Sequence, residues 1–316
     1  MRLGGYRTSD NVRDQGQGGG GFGFGGGGGG GGGGGCLFAL LPMVLSRFGI
    51  GGVLILLLGY CALSYMGGGA GGGMGLGGSG PAVAPQQQGS GATNNAAEAC
   101  AADEPAKRFS CQVLASTEDT WAKLFEAKGQ RYQPATFSFY GGSGNSGCGA
   151  AQSAMGPFYC PSDNSIYLDT SFFAEMQTKL GAAGDFAQAY VIAHEVGHHI
   201  QNLTGVLEQA STQQRRVSSR EGNAIQVRVE LQADCYAGVW AANARDSKGS
   251  LMEPGDLEEG LVAAQAIGDD TLQRKSQGRV VPEAFTHGSS EQRKAWLRRG
   301  YDSRDPTACD TFSGAV

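Results

Sequence analysis

Apolar residues recur every three to four positions through DFAQAYVIAHEVGHHIQNL, where Phe186, Tyr190, Val191, Ala193, Val196 and Ile200 make a broad face. The spacing predicts a helix over Phe186–Leu203, with Asp185 as its N-cap and Gly205 as its stop. The same period runs through Val217–Asn243 and, over shorter lengths, through Thr117–Lys128, Ser171–Leu180, Asp256–Ile267 and Glu291–Arg299. Alternation is confined to ATFSFY, Ala135–Tyr140, and to SIYLD, Ser165–Asp169, which follows the turn signal PSDN. Many helices with few strands predict an α+β domain over residues 100–316, mostly helical with a small sheet.

Upstream the pattern changes. Phe48–Met66 holds 19 residues without a charge, which as a helix would reach about 28 Å, close to a hydrocarbon core of about 30 Å. A core helix placed between two glycine tracts would have nothing to pack against, so a transmembrane helix is expected within an apolar segment 36–66. The run Cys36–Ser46 is too short to span alone. Much of the chain's 56 glycines falls in the tracts Gly18–Gly35 and Gly67–Gly80. Such tracts bury too little apolar surface to offset backbone entropy, so residues 1–35 are expected as a disordered tail and 67–99 as a flexible linker. The long region before the apolar core favours an anchor over a cleaved signal peptide. Arg2, Arg7, Arg13 and Arg47 precede the helix Phe48–Met66 and no basic residue follows it until Lys107; the positive-inside rule then places the N-terminus in the cytoplasm and the folded domain outside. Six of the eight cysteines lie beyond the segment, an even number suited to disulfides in an oxidising compartment, and Cys148 with Cys160 is the expected pair across a short turn-rich stretch. A net charge of −5 offers no basic footprint for nucleic acid.

Three of the four histidines fall within six residues of the apolar helix, where unpartnered imidazoles are costly. His194, Glu195 and His198 make the pattern H-E-x-x-H. Residues four apart share a helix face, so His194 and His198 can converge on one zinc ion, while Glu195, offset by one position, can act on the attacking water as general base. His199 is rotated away and reads as packing. The extended pattern H-E-x-x-H-x-x-G-x-x-H is closed, because Gln201 and Thr204 occupy its later places. A carboxylate third ligand is therefore indicated, from Glu208, Glu221 or Glu230. Glu230 is favoured: in RVELQADCYAGVWA it shares a face with Asp234, which can accept the free N–H of a ligand histidine, and two carboxylates among apolar neighbours call for a cation. His287, in FTHGSSEQRKAWL, reads either as a capping or core histidine or as a donor to the oxyanion.

The stretches GPFYCPSDNSIYLDTSFF, YVIAHEVGHHIQ, RVELQADCYAGVWA and VPEAFTHGSSEQR resemble a bacterial family of predicted neutral zinc metallopeptidases, as does the glycine-rich N-terminus. The resemblance implies a zincin-like domain. More distantly the layout is similar to gluzincins of the CAAX-protease type, with a glutamate ligand in an E-x-x-x-D helix and a later T-H-P-S-x-x-x-R segment. Thr286, His287, Ser289 and Arg293 match that segment, which implies a site role for His287 and Arg293; Gly288 departs from it, standing where those enzymes have proline. By analogy with zincins, Ile166–Leu168 is the candidate edge strand for substrate, and Tyr167 and the loop 141–149 are expected to border the cleft.

The expected protein is a single-pass, membrane-anchored zinc endopeptidase acting on peptide or protein substrates. One zinc ion would be held by His194, His198 and Glu230, with Glu195 as general base, His287 at the oxyanion, and Asp234 with Arg293 behind the ligands. The alternative is a non-catalytic envelope protein that keeps zinc structurally.

Overall fold

A computed structural model describes residues 1–17, 92–101 and 104–316. The expected membrane helix Phe48–Met66, the run Cys36–Ser46, both glycine tracts and most of the expected linker lie outside the described residues. Among the described residues no helix is long and apolar enough to cross a membrane.

The architecture is mixed α+β, as the periodicity predicts. The sheet comprises β1 (Val12–Gln17), β2 (Thr136–Gly141), β3 (Ser143–Ser146), β4 (Gly149–Gln152), β5 (Phe158–Cys160) and β6 (Ser165–Leu168). β1, β2 and β6 lie side by side and parallel, β5 runs antiparallel along the outer side of β6, and the β3–β4 hairpin extends the end of β2. Phe137, Phe139, Ile166 and Leu168 are fully buried, as expected of parallel strands covered on both faces. The α-helices of five residues or more among the described residues are α1 (Pro105–Glu126), α2 (Ser171–Glu175), α3 (Asp185–Leu203), α4 (Val206–Gln214), α5 (Ser219–Asn243), α6 (Asp256–Ala266), α7 (Asp269–Gln277) and α8 (Ser290–Ser303).

β1 corrects the expectation of a disordered tail over residues 1–35 and of a domain that begins at residue 100. Val12, Arg13 and Asp14 pair in register with Phe137, Ser138 and Phe139. The residues before it are tied down as well. Leu3 is buried, Arg2 forks onto Asp246 at 2.8 and 2.9 Å, and Arg7 pairs with Glu118 at 3.0 Å and Asp119 at 2.6 Å. The strand escapes a hydrophobic-pattern reading because VRDQGQ has one large apolar residue. Its inward Asp14 is buried against Lys107 at 2.7 Å instead, and buried charge is tolerated when paired.

α3 starts one residue early. Gly184, at φ 111°, takes the cap position rather than Asp185, and the Glu259 carboxylate of α6 accepts the Phe186 N–H at 3.0 Å, satisfying one of the orphan donors of the first turn. Two contacts then fix the helices around the site. A Cβ at Gly197 of α3 would meet the Ala233 backbone of α5 at 2.9 Å, so glycine sets how closely these two helices approach. On the other side of α5, a Cβ at Gly300 of α8 would overlap the Cys235 carbonyl. Disulfides join Cys100 to Cys111, Cys148 to Cys160 and Cys235 to Cys309. The last ties α5 to the end of the chain.

Candidate metal centre

His194 and His198 lie one turn apart on α3, and Glu230 projects towards them from α5. Their ligand atoms all lie within 4.8 Å of one another. The Glu230 Oε2 is 3.1 Å from His194 Nε2 and 3.6 Å from His198 Nε2. Two donors on a tetrahedral zinc with bonds of about 2.0–2.1 Å stand about 3.3 Å apart, a value these distances bracket. The donor set of two imidazoles and a carboxylate is one zinc accepts. Of the three glutamates weighed as third ligand, Glu230 is the one brought here. Glu221 belongs instead to a capping box with Ser218 at the start of α5, a role its S-x-x-E spacing foreshadows, and Glu208 lies in the first turn of α4.

Both imidazoles face an acceptor at Nδ1, which leaves Nε2 of each available to a metal. For His194 that acceptor is Asp234 Oδ1 at 2.8 Å. For His198 it is Gln201 Oε1 at 2.9 Å, and the Gln201 amide donates in turn to the Val229 carbonyl at 2.7 Å. Gln201 was legible only as the residue that closes the longer histidine pattern; its buried amide is what aims His198. Asp234 is wholly buried. Its carboxylate also accepts from Tyr190 Oη at 2.6 Å and from a bidentate Arg293 of α8, Nε at 2.8 Å and Nη2 at 2.9 Å. This forked geometry gives a strong charge-assisted pair. His199 points elsewhere: its Nε2 donates to the Gln133 carbonyl at 2.7 Å, and its Nδ1 lies 3.0 Å from the Tyr159 hydroxyl, fastening α3 to β5.

The electrostatics fit a cation. Burial opposes ionisation of Glu230, yet the imidazoles of His198 and His194 hold its carboxyl well below the usual range. Burial also works against a charged His194, but Asp234 and Glu230 outweigh it and push the imidazole up to about 9. Without metal, protons on the imidazoles thus supply the positive charge that the buried carboxylates require, and a metal ion must displace them.

His194, His198 and Glu230 line one cleft of about 580 Å³ together with Glu195, His287 and Arg293. Its remaining wall is largely apolar, with Phe158, Phe172, Val191, Leu207 and Leu272 among the contributors. Glu195 is buried, 7% exposed. His287 comes from the loop between α7 and α8, which Asp269 organises. One Asp269 oxygen accepts the backbone N–H groups of Thr286, His287 and Gly288 at 2.6, 2.6 and 3.1 Å, and the other faces His287 Nδ1 at 3.1 Å. Gly288 sits at φ 95°, which proline, fixed near −65°, cannot adopt; the loop departs from the T-H-P-S pattern in backbone course as well as in sequence. Ser289 caps α8 with Gln292 in a capping box. Ile166–Leu168 is not the edge. β6 lies between β2 and β5, so its backbone is already paired on both sides, and the strand that borders the cleft is β5, through Phe158 and Tyr159. Tyr167 is buried against Phe158, and neither it nor the 141–149 segment lines the cleft.

The family described as "Putative neutral zinc metallopeptidase" matches residues 1–312. The chain is 53% identical over 214 residues to "Uncharacterized protein YpfJ" of Escherichia coli (strain K12), covering 68% of this chain and 74% of that one. It is 44% identical over 229 residues to "Uncharacterized protein Rv2575" of Mycobacterium tuberculosis (strain ATCC 25618 / H37Rv), covering 68% and 75%. No solved structure matches.

Proposed function

The chain belongs to this neutral zinc metallopeptidase family, and we propose that it is an endopeptidase that hydrolyses peptide bonds in the cleft between β5 and α3. The observation that carries the reading is the convergence of His194, His198 and Glu230 beside a fourth buried residue, the acid Glu195, which is not needed to complete the ligand set. When bound, zinc supplies Lewis acidity and makes water acidic enough to ionise near neutral pH. Glu195 takes the proton of the attacking water and passes it to the leaving amine. His287 donates to the oxyanion that develops on the scissile carbonyl. Among the described residues no strand pairs with the outer side of β5, which offers an edge along which an extended peptide can add as a strand, and the apolar wall of the cleft favours uncharged side chains next to the scissile bond.

Because β1 belongs to the domain, the protein for the test is the full chain rather than a fragment starting near residue 97. It is expected to bind one zinc per chain and to cleave unfolded protein substrates in a chelator-sensitive way. Glu230→Ala should lower metal affinity by at least about a hundredfold through loss of a ligand and its charge. Stoichiometric zinc without cleavage of any unfolded substrate would favour the structural-zinc alternative, and Glu230→Ala with parental affinity would remove the third ligand.

A further inference from the structure

We propose that Asp269 is the positioning residue for His287: it fixes the 286–288 loop and occupies the imidazole Nδ1, so that Nε2 is the donor presented to the substrate. The inference rests on the endopeptidase reading. A single carboxylate is spent on four contacts to three consecutive residues. It is held in place by its own helix, since Asp269 opens α7 and its N–H donates to the Gly288 carbonyl at 2.9 Å. The charged groups facing His287 are Asp269 from α7, Glu230 from α5 and Arg293 from α8. The hydrogen bond with Asp269 is the strongest influence and holds the imidazole above its ordinary value. His287 therefore keeps both ring protons into a more alkaline range, with Nδ1–H given to Asp269 and Nε2–H free for the oxyanion. The sign follows: activity that needs this doubly protonated form is present at lower pH and fades as pH rises through the raised value.

Asp269→Asn keeps an oxygen for the loop N–H groups but turns an amide N–H towards Nδ1. That stabilises the neutral imidazole and removes the charge partner. The neutral imidazole of the variant keeps its proton on Nε2, so the expected result is parental zinc content, KM within about twofold, kcat down about tenfold near neutral pH because a neutral donor replaces a charged one, and loss of the alkaline limb. In a His287→Ala background the same substitution should add nothing. Histidine ring resonances of the zinc-loaded protein give a readout independent of turnover, since the chain has only four histidines. His287 should titrate lower in Asp269→Asn. An unmoved titration and an unmoved limb would overturn the proposal by leaving Asp269 a loop clamp alone. A parent that cleaves nothing would sink the endopeptidase reading while leaving the titration to decide this one.

A separate observation bears on where the chain sits. β1 pairs with β2 and the intervening apolar residues 36–66 separate it from the rest of the domain, so a single crossing there would put paired strands on opposite sides of a membrane. We infer that residues 1–17 and the zinc domain lie on the same, oxidising side. The arginines expected to hold the N-terminus in the cytoplasm are engaged within the fold: Arg2 is taken by Asp246, Arg7 by Glu118 and Asp119, and Arg13 by the Tyr167 hydroxyl at 2.9 Å. Three of the four arginines that set the orientation are thereby accounted for by folding. Asp10 and Asp302 are exposed, one near each end. Asp10→Cys and Asp302→Cys in the full chain should both react with a membrane-impermeant maleimide in intact cells, above the background of the parent. Labelling of both only after lysis would overturn the oxidising side, and labelling of one from each face would overturn the shared side altogether.

Discussion

Glutamine at position 195 is expected to leave zinc stoichiometry at the parental level and to lower kcat by about a thousandfold, equivalent to about 4 kcal/mol of transition-state stabilisation. The substitution preserves shape and hydrogen-bonding size but removes the basic oxygen pair. Glu195 follows His194 directly on α3, so it stands about 100° around the helix from the ligand, lining the same cleft while the ligand set is completed from α5 by Glu230. A residue that neither binds the metal nor packs the core should not affect metal content. The check is metal analysis of the purified variant beside kcat and KM on a peptide the parent cleaves. KM should change little, because the proton moves only in the transition state. Retention of more than about a tenth of parental kcat would exclude Glu195 as the base.

How far the sequence discloses this site depends on the range over which each residue acts. The ligand pair is written in one helix turn, and Glu230 with Asp234 in another. Both lie on apolar helices where a buried polar residue stands out against a 3.6-residue period, and both are found where that reading puts them. Asp269 is invisible to the same reasoning. It sits in DDTLQRKSQ, a polar segment in which an aspartate at a helix start looks like ordinary dipole compensation, and its work is done on backbone groups 17 to 19 residues away. Gln201 is similarly hidden, since an amide that aims a histidine carries no charge signal. β1 was missed because its burial relies on the Asp14–Lys107 pair rather than on apolar alternation. β5 is three residues long, too short for a period to show, yet it supplies the edge beside the cleft. The two long helices that carry the site were legible, but α4, α7 and the first half of α1 were not; what positions the 286–288 loop and closes the sheet came from contacts between distant segments.

Arg293→Met is expected to destabilise the protein by about 3–5 kcal/mol, the range for removing one partner of a buried ion pair. Both side chains are almost wholly enclosed, at 3% and 0% exposure, so solvent cannot take over the role of the guanidinium. Asp234 would keep Tyr190 and His194 as partners but lose its bidentate cation. Burial opposes ionisation of Asp234, yet Arg293 and His194 hold its carboxyl at about 2, below the ordinary aspartate value. The sign is that of a depressed carboxyl: the stabilisation is present above the unfolded value and is lost as pH falls through about 2. Parent and variant should therefore differ fully at neutral pH and converge only at the acid end. Zinc sharpens the effect, because a metal-bound His194 is neutral and Arg293 is then the one cation contacting Asp234; metal affinity should drop about 10- to 100-fold. Asp234→Asn combined with Arg293→Met removes both charges, so the double variant should be more stable than the sum of the single losses allows, by at least about 1 kcal/mol in denaturant unfolding of the metal-free protein. A strictly additive cycle would mean that Arg293 contributes packing rather than charge, and that His194 is oriented by Asp234 without help from α8.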